Sequence, residues 1–454
     1  MIDTIVRNTK IYAQKHNKEN RKCKGQFFTP VAIAEFMATR AAYATTHLSI
    51  LEPGAGNGLL TASLVKYCIE NELCTSFNVK FVENDPDVIE LLKATITTIT
   101  NYVIANNGNI NFSLSTENYI TGSVVEKYDI IICNPPYKKI RKDSEEAQSM
   151  EDYVHGQPNL YGLFMCRAIK HLKDNGRFVF ITPRSWTSGC YYKLVRKYIF
   201  EKLNITDLLL FENRNNVFGD EDVLQETLIT VGMKGNPQSQ FIYLYNADSS
   251  LRLAPIQMEV PAQLIKNIGP DSYLLLPKNE TDLQVINRMA NIPDTFESLG
   301  YCFKTGPVVE FRNKDVISAV AKDGYIPMYR STSIVNGQCV FPADTEKAQY
   351  LNSSKKQLLI ANGNTVFLRR LSAKEENRRL QSCVYYQTGN NEYISVENHV
   401  NYLVRSDGTA LSENEVEWIN ELLMSQDYDV YYRIINGSTQ VNARELNRLP
   451  LQRR

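Results

Sequence analysis

Residues 128–137 read YDIIICNPPY. The stretch IIIC at 130–133 contains no polar residue. A strand with one face in water alternates polar and apolar side chains, and a strand without that alternation is covered on both faces, as in a parallel sheet flanked by helices. Pro135 and Pro136 have no backbone N–H and end the strand abruptly. Residues 134–137 therefore lie at the carboxyl end of a buried strand, where open parallel sheets bind their ligands.

The pattern repeats in both directions. Toward the N-terminus, SILE (49–52), VKFVEND (79–85) and NFSLS (111–115) read as strands. Helical periodicity runs from about Leu59 to Asn71 and over PDVIELLKATITTI, which starts at Pro86. Toward the C-terminus come a helix over 160–173 and the strands RFVFIT (177–182), ITDLLLF (205–211) and ETLITVGM (226–233). This alternation predicts an α/β fold, an open, mostly parallel, Rossmann-like sheet with helices on both faces. The regularity stops near KGNPQSQ (234–240), which reads as a linker. The expected division is 1–235 and 236–454, the second part being an α+β domain of short strands, aromatic residues and turns. Near its end Asn442 and Glu445 have the spacing of a capping box before a short helix. Residues 1–24 read as a basic helix and loop with Lys10, Lys15, Lys18, Arg21, Lys22 and Lys24, either a solvated face or a phosphate-contacting one.

Composition narrows the field. The 454 residues contain 50 Lys plus Arg and 50 Asp plus Glu, for a formal net charge of zero, and 43% are hydrophobic. The apolar share suits soluble domains with real cores, and any nucleic-acid surface must come from local clustering of charge. Nine cysteines are scattered without a C-x-x-C pair, and the five histidines are dispersed, so no metal is expected. The N-terminal stretch is polar and lacks a signal-peptide core, and no run approaches the apolar length of a membrane span. A cytoplasmic protein with reduced thiols and no membrane partner is expected.

Three segments carry chemistry. LEPGAGNG (51–58) follows the first strand and opens the first helix, and it has no Walker lysine. Gly54 and Gly56 would let a ligand approach the backbone, flanked by Glu52 and Pro53. The second strand ends in Glu83, Asn84, Asp85 and Pro86, and an acid at that strand end can accept hydrogen bonds from both hydroxyls of a ribose. Asn134, Pro135, Pro136 and Tyr137 then supply two acceptors, the Asn134 side-chain oxygen and the Pro135 carbonyl, and one aromatic face. An amino nitrogen conjugated to a heteroaromatic ring is a poor nucleophile. Holding both its hydrogens would favour a tetrahedral nitrogen with the lone pair aimed at an electrophilic methyl, so positioning suffices without a strong base. Upstream, GQFFTP (25–30) places Phe27 and Phe28 beside a Thr29-Pro30 turn that could close over a ligand.

In this order the motifs resemble the gamma class of DNA adenine methyltransferases, found mostly in type II restriction–modification systems. GQFFTP is similar to motif X of that class, LEPGAGNG to motif I, ENDP (83–86) to motif II and NPPY to motif IV. NLYGLF (159–164), GRFVFITPRSW (176–186) and SGCYYKLVRKY (188–198) are similar to motifs VI, VII and VIII. The likeness covers about 25–233, and KTGPVVEFRNKD (304–315) and NGSTQVNARELNRLPL (436–451) resemble strings of its PstI/BsuBI-like branch. The resemblance implies S-adenosyl-L-methionine as cofactor, double-stranded DNA as partner, and a target adenine flipped from the duplex. It also implies a C-terminal target recognition domain and a separately encoded cognate restriction endonuclease.

On this reading Phe27, Phe28, Thr29, Pro30, Glu52, Pro53, Gly54, Gly56, Glu83, Asn84, Asn118 and Asn134 bind the cofactor. Asn134 to Tyr137 carry the transfer, and Tyr192, or adjacent Tyr191, packs on the base. Motif III departs from the pattern, with Asn118 where the class has Asp and Glu117 beside it. The charged segment 138–158 has the length and polarity of a loop that orders on binding, in which Lys138, Lys139, Arg141 and Lys142 reach phosphates, or equally of a solvated, disordered one. Arg312, Arg330, Lys355, Lys356, Arg369, Arg370, Arg378 and Arg379 are the C-terminal candidates for DNA contact.

Other readings are weaker. A methyltransferase acting on protein glutamine or RNA would not be expected to join GQFFTP to a large C-terminal domain. A modification subunit that borrows its specificity would not need that domain, and a silent DNA-binding module would not need NPPY and the glycines. No nuclease motif is evident, so a methylase alone is expected.

Overall fold

A computed structural model describes residues 1–15, 28–211, 226–235, 239–247, 258–267, 272–373, 376–436 and 439–453. Phe27 and the basic residues Lys18, Arg21, Lys22 and Lys24 lie outside the described residues. The chain forms two compact units, Met1–Asn279 and Glu280–Arg454.

The first unit is built on one nine-stranded sheet. Its strands are β1 (Leu48–Pro53), β2 (Ser76–Val82), β3 (Asn109–Ser115), β4 (Tyr128–Cys133), β5 (Leu172–Pro183), β6 (Leu203–Phe211), β7 (Thr227–Lys234), β8 (Phe241–Ala247) and β9 (Met258–Pro261). The spatial order is β3-β2-β1-β4-β5-β7-β6-β8-β9. The strands from β3 to β5 run parallel, and β7 is antiparallel to both its neighbours. The connection order reverses between β1 and β4, and the crevice beyond their carboxyl ends is the switch point at which such sheets take a ligand.

The apolar reading of β4 holds. Ile130, Ile131, Ile132 and Cys133 have no exposed surface, and neither do Phe178, Val179, Phe180 and Ile181 of β5. Each isoleucine contributes roughly 1.5–3 kcal/mol by burial. Helices α1 (Ile2–Lys15), α2 (Val31–Ala41), α3 (Leu59–Glu70) and α4 (Pro86–Ala105) accompany the N-terminal half of the sheet. Helices α5 (Glu145–Ser149), α6 (Leu160–His171) and α7 (Lys193–Lys202) come after β4. Pro86 and the Asp85 carboxylate, which accepts from Asp87 N at 3.1 Å, start α4. That helix corrects one expectation: its 20 residues are long and apolar enough to cross a membrane by length and composition alone. Here its buried positions, Val88, Leu91, Leu92, Thr95, Ile99 and Val103, form the stripe of a helix laid on a sheet.

The expected boundary after residue 235 also moves. β8 pairs in parallel with β6, from Asp207↔Tyr243 to Phe211↔Ala247, and β9 closes the edge against β8. Ladder hydrogen bonds therefore carry the first unit past the linker-like composition, and the unit extends to Asn279.

The second unit has a six-stranded sheet containing Tyr301–Thr305, Val400–Arg405, Thr365–Arg369 and Ser382–Tyr385, and a five-stranded sheet centred on Tyr325–Tyr329. Two helices, Glu413–Leu423 and Gln426–Ile435, follow. Ser412 and Glu415 make a reciprocal capping box. The box expected at Asn442 does not form, because Glu445 is drawn inward. Its carboxylate accepts from the Tyr432 hydroxyl at 2.8 Å, and the Asn442 amide donates to it at 3.2 Å.

Candidate active site

The carboxyl ends of β1, β2, β3 and β4 surround a cavity of about 390 Å³ in the first unit. Phe28, Gly54, Gly56, Glu83, Asn84 and Asn134 line it, as the sequence led us to expect. Val82, Asp85, Glu117, Asn118, Glu146 and Lys138 line it as well. Four carboxyl groups against one lysine make the cavity attractive to a cation.

The glycine loop is tied to β2. Gly54 N and Ala55 N donate to Val82 O at 2.7 and 3.1 Å, and Gly56 N donates to Glu83 Oε2 at 2.8 Å. Gly54 and Gly56 have φ of +65° and +55°, the left-handed region in which a side chain is strained. A Cβ on Gly54 would also touch Phe164 at 3.4 Å. Glu83 Oε1 accepts from Asp85 N at 2.9 Å, so its carboxylate brackets the two loops. Burial pushes the Glu83 carboxyl up, opposed by the N–H groups of Asp85 and Gly56.

Four expected cofactor residues are placed otherwise. Glu52 is 2% exposed and accepts from Thr61 N at 3.0 Å, so it caps α3 beneath the loop instead of lining the cavity. Desolvation raises its carboxyl to about 8. Pro53 is likewise under the loop, with its carbonyl accepting from Cys133 Sγ at 3.0 Å. Pro30 caps α2. Thr29 stands behind the cavity wall, where its hydroxyl accepts from Asn134 Nδ2 at 3.1 Å. This bond fixes which way the Asn134 amide is turned.

Three tyrosines cluster beside the NPPY loop. Tyr137 donates to Ile181 O at 3.2 Å and meets Tyr161 edge-on, with centroids 6.1 Å apart. Tyr161 stacks on Tyr192 at 5.3 Å and 24°, and its hydroxyl meets Ser185 Oγ at 2.8 Å. The sequence pointed to Tyr137 and Tyr192 and missed Tyr161, whose only signal was its place in NLYGLF. Tyr191 is 51% exposed and lies against Gly156, which leaves no room there for a side chain. Arg196, fully buried, donates to Trp186 O and Gly189 O at 2.9 and 2.6 Å and holds the turn that carries both tyrosines.

The charged segment 138–158 contains α5 and the turn Glu151–Tyr153. Lys138, Lys139 and Arg141 are exposed, and Arg141 pairs with Asp143 at 2.6 Å. In the second unit Arg312 is exposed and lies over the Phe311 ring at 5.3 Å. Other arginines expected at DNA are engaged within the unit. Arg330 is 3% exposed and donates to Glu310 and to Ala348 O, both at 2.7 Å. Arg369 spends all three nitrogens on Ser331 O, Gln381 Oε1 and Ile334 O, and Arg379 is 1% exposed. Arg378 donates to Ser425 O at 2.9 Å, and Arg370 to Asn398 O at 3.0 Å. Among the described residues no group of three or more His, Cys, Asp or Glu is placed to hold a metal ion.

Residues 58–218 match the family model of the Eco57I restriction-modification methylase. The chain is 30% identical over 438 residues to the type II methyltransferase M.PstI of Providencia stuartii, covering 94% of this chain and 86% of that protein. It is 28% identical over 440 residues to the type II methyltransferase M.BsuBI of Bacillus subtilis, covering 94% and 87%. Among solved structures, the DrdV–DNA complex matches with a TM-score of 0.52 at 12% identity, over 94% of this chain and 53% of that one.

Proposed function

Because this chain belongs to the type II methyltransferases of restriction–modification systems, which methylate DNA with S-adenosylmethionine, we propose that its target is the exocyclic amino group of an adenine flipped out of duplex DNA. One observation carries the reading. The Asn134 amide, oriented by Thr29, sits at the end of β4 directly beside the glycine loop of β1. Gly54, Gly56 and Glu83, which line the same cavity as Asn134, would hold the methyl donor, and the donor would supply an electrophilic methyl there.

The residues divide the work. Glu83 accepts from the ribose hydroxyls, and the acid-lined cavity suits a sulfonium carrying positive charge. Asn134 Oδ1 and Pro135 O hold the two amino hydrogens of the base, so the nitrogen lone pair points at the methyl. The nitrogen–carbon bond forms as the sulfur–carbon bond breaks, and the sulfur keeps the electron pair. The nitrogen then loses a proton to water or to an acceptor of the NPPY loop. Tyr137 and Tyr192 offer stacking faces, with Tyr161 packed behind Tyr192. Carbon methylation of a pyrimidine would need an activating nucleophile; Cys133, the cysteine next to this loop, is buried, its thiol is held well above the usual range, and it donates to Pro53 O.

The unit Glu280–Arg454 is the proposed target recognition domain, with Arg312 at the DNA. The biological role is protection of host DNA from a separately encoded endonuclease of the same specificity. The test is to incubate the protein with labelled S-adenosylmethionine and varied duplexes, digest the DNA and identify the labelled nucleoside. N6-methyladenine is expected, and label confined to cytosine overturns the adenine assignment.

A further inference from the structure

We propose that Glu146, on the short helix after the catalytic loop, accepts a hydrogen bond from the amino group of the cofactor's adenine and is held for that task by Asn118. The inference rests on the cofactor lying in the cavity as proposed above.

The argument starts from the strand ends. β4, β1, β2 and β3 finish side by side on one rim, and neighbouring strands are about 4.8 Å apart. Glu83 N donates to Ser115 O at 3.0 Å and joins the end of β2 to that of β3. A cofactor with its methyl at Asn134 and its ribose at Glu83 has its adenine one strand further on, over the end of β3. Asn118 and Glu146 face the cavity there.

The chemistry then selects between them. The adenine amino group is a donor and needs an acceptor. The Asn118 oxygen already accepts from Ile120 N at 2.9 Å, and its nitrogen donates to Glu146 Oε1 at 3.0 Å. Glu117 also lines the cavity, but Ser123 N and Ser123 Oγ both donate to its Oε2 at 2.8 Å, and it is exposed to water, which competes for its other oxygen, whereas Glu146 is partly buried. Glu146 is a carboxylate oriented by an amide, with acceptor capacity left over. An acceptor-only group distinguishes an amino substituent from a carbonyl at the same ring position, because the carbonyl would bring two oxygens together. The arrangement also couples the cofactor to 138–158, so binding steadies the segment that carries Lys138.

The test uses titration calorimetry on the full chain with S-adenosylhomocysteine and with S-inosylhomocysteine, which carries a carbonyl in place of the amino group. The wild type should prefer the adenosyl compound by at least about 30-fold, and Glu146→Gln should weaken adenosyl binding on the order of 10-fold. The same substitution should cut the preference below about 3-fold, because an amide can donate to the carbonyl. The exchanged pair Asn118→Asp with Glu146→Gln restores one carboxylate and one amide, and should recover most of the preference. Unchanged affinity and preference in Glu146→Gln overturn the proposal. Glu83→Ala is the control. If it abolishes binding while Glu146→Gln does nothing, the cavity assignment stands and only this inference fails; if it too does nothing, the cavity assignment fails.

Discussion

Replacing Thr29 by Val removes one oxygen, keeps the side-chain volume, and tests whether the orientation of Asn134 matters. Thr29 is 8% exposed, and its hydroxyl accepts from Asn134 Nδ2 at 3.1 Å. Thr29 does not line the cavity, so the substitution leaves its contents alone. A typical internal hydrogen bond is worth about 0.5–1.5 kcal/mol net, rising to about 1–3 kcal/mol when the remaining partner is left unsatisfied. If about 1.4 kcal/mol of that is lost in the transition state, turnover falls about tenfold. The bond orients the amide and does not bind the donor, so the Kd for S-adenosylmethionine should stay within about twofold, and the loss should appear in kcat under saturating DNA. Single-turnover methyl transfer with calorimetry on the same preparation measures both. A kcat equal to wild type refutes the claim that this bond positions the acceptor. A collapse of cofactor binding with kcat unchanged refutes the assignment of Thr29 to the catalytic amide.

Glu52→Gln should raise the melting temperature at pH 8.5 by several degrees and matter little at pH 5. The folded carboxyl titrates near 8 against an ordinary 4.5, so the native state holds a proton that the unfolded chain releases; stability is full below 4.5 and is lost as pH rises toward 8. A benefit independent of pH would contradict this. Arg330→Ala should destabilise the second unit by roughly 1–3 kcal/mol, because it removes a buried guanidinium and its hydrogen bonds to Ala348 O and to the partly exposed Glu310, whereas Arg312→Ala should leave the melt unchanged and lower the salt slope of DNA binding by about one. Reversed effects in melting and fluorescence-anisotropy titrations would exchange their roles. Tyr192→Ala should reduce base extrusion on the order of 10-fold, read from 2-aminopurine at the target position. An unchanged signal moves that role to Tyr191.

The legible parts of the molecule are local in sequence. β4 announced itself because a doubly covered strand has no polar positions, and the cavity loops did so because they immediately follow such strands. Glu83 and Asn134 were readable for that reason. Relations between distant residues were not. Glu52 looked like part of the glycine loop, yet its carboxylate turns under the loop to Thr61. Arg330 and Arg369 looked like surface cations because sequence carries charge but not burial, and their carbonyl and carboxylate partners come from other segments. The boundary was missed because β8 and β9 end the sheet, β8 placed by pairing with β6 and β9 by pairing with β8, which composition does not encode. Glu146 lies 28 residues from Asn118, inside a charged run that resembles many solvated loops.

The row of strand ends from β3 to β4 acts as a ruler. Three steps of about 4.8 Å span about 14 Å, and both ends are clamped, by Asn118 with Glu146 and by Asn134 with Thr29. A sheet cannot stretch by part of a step, so the distance between nucleoside and reacting carbon is a gauge built into the hydrogen-bond spacing. A different group carried on the sulfur leaves that gauge unread, while one extra methylene between sulfur and ribose puts the reacting carbon off its mark. With the donor placed as proposed, the enzyme would be stricter about the length of its donor than about what the donor delivers.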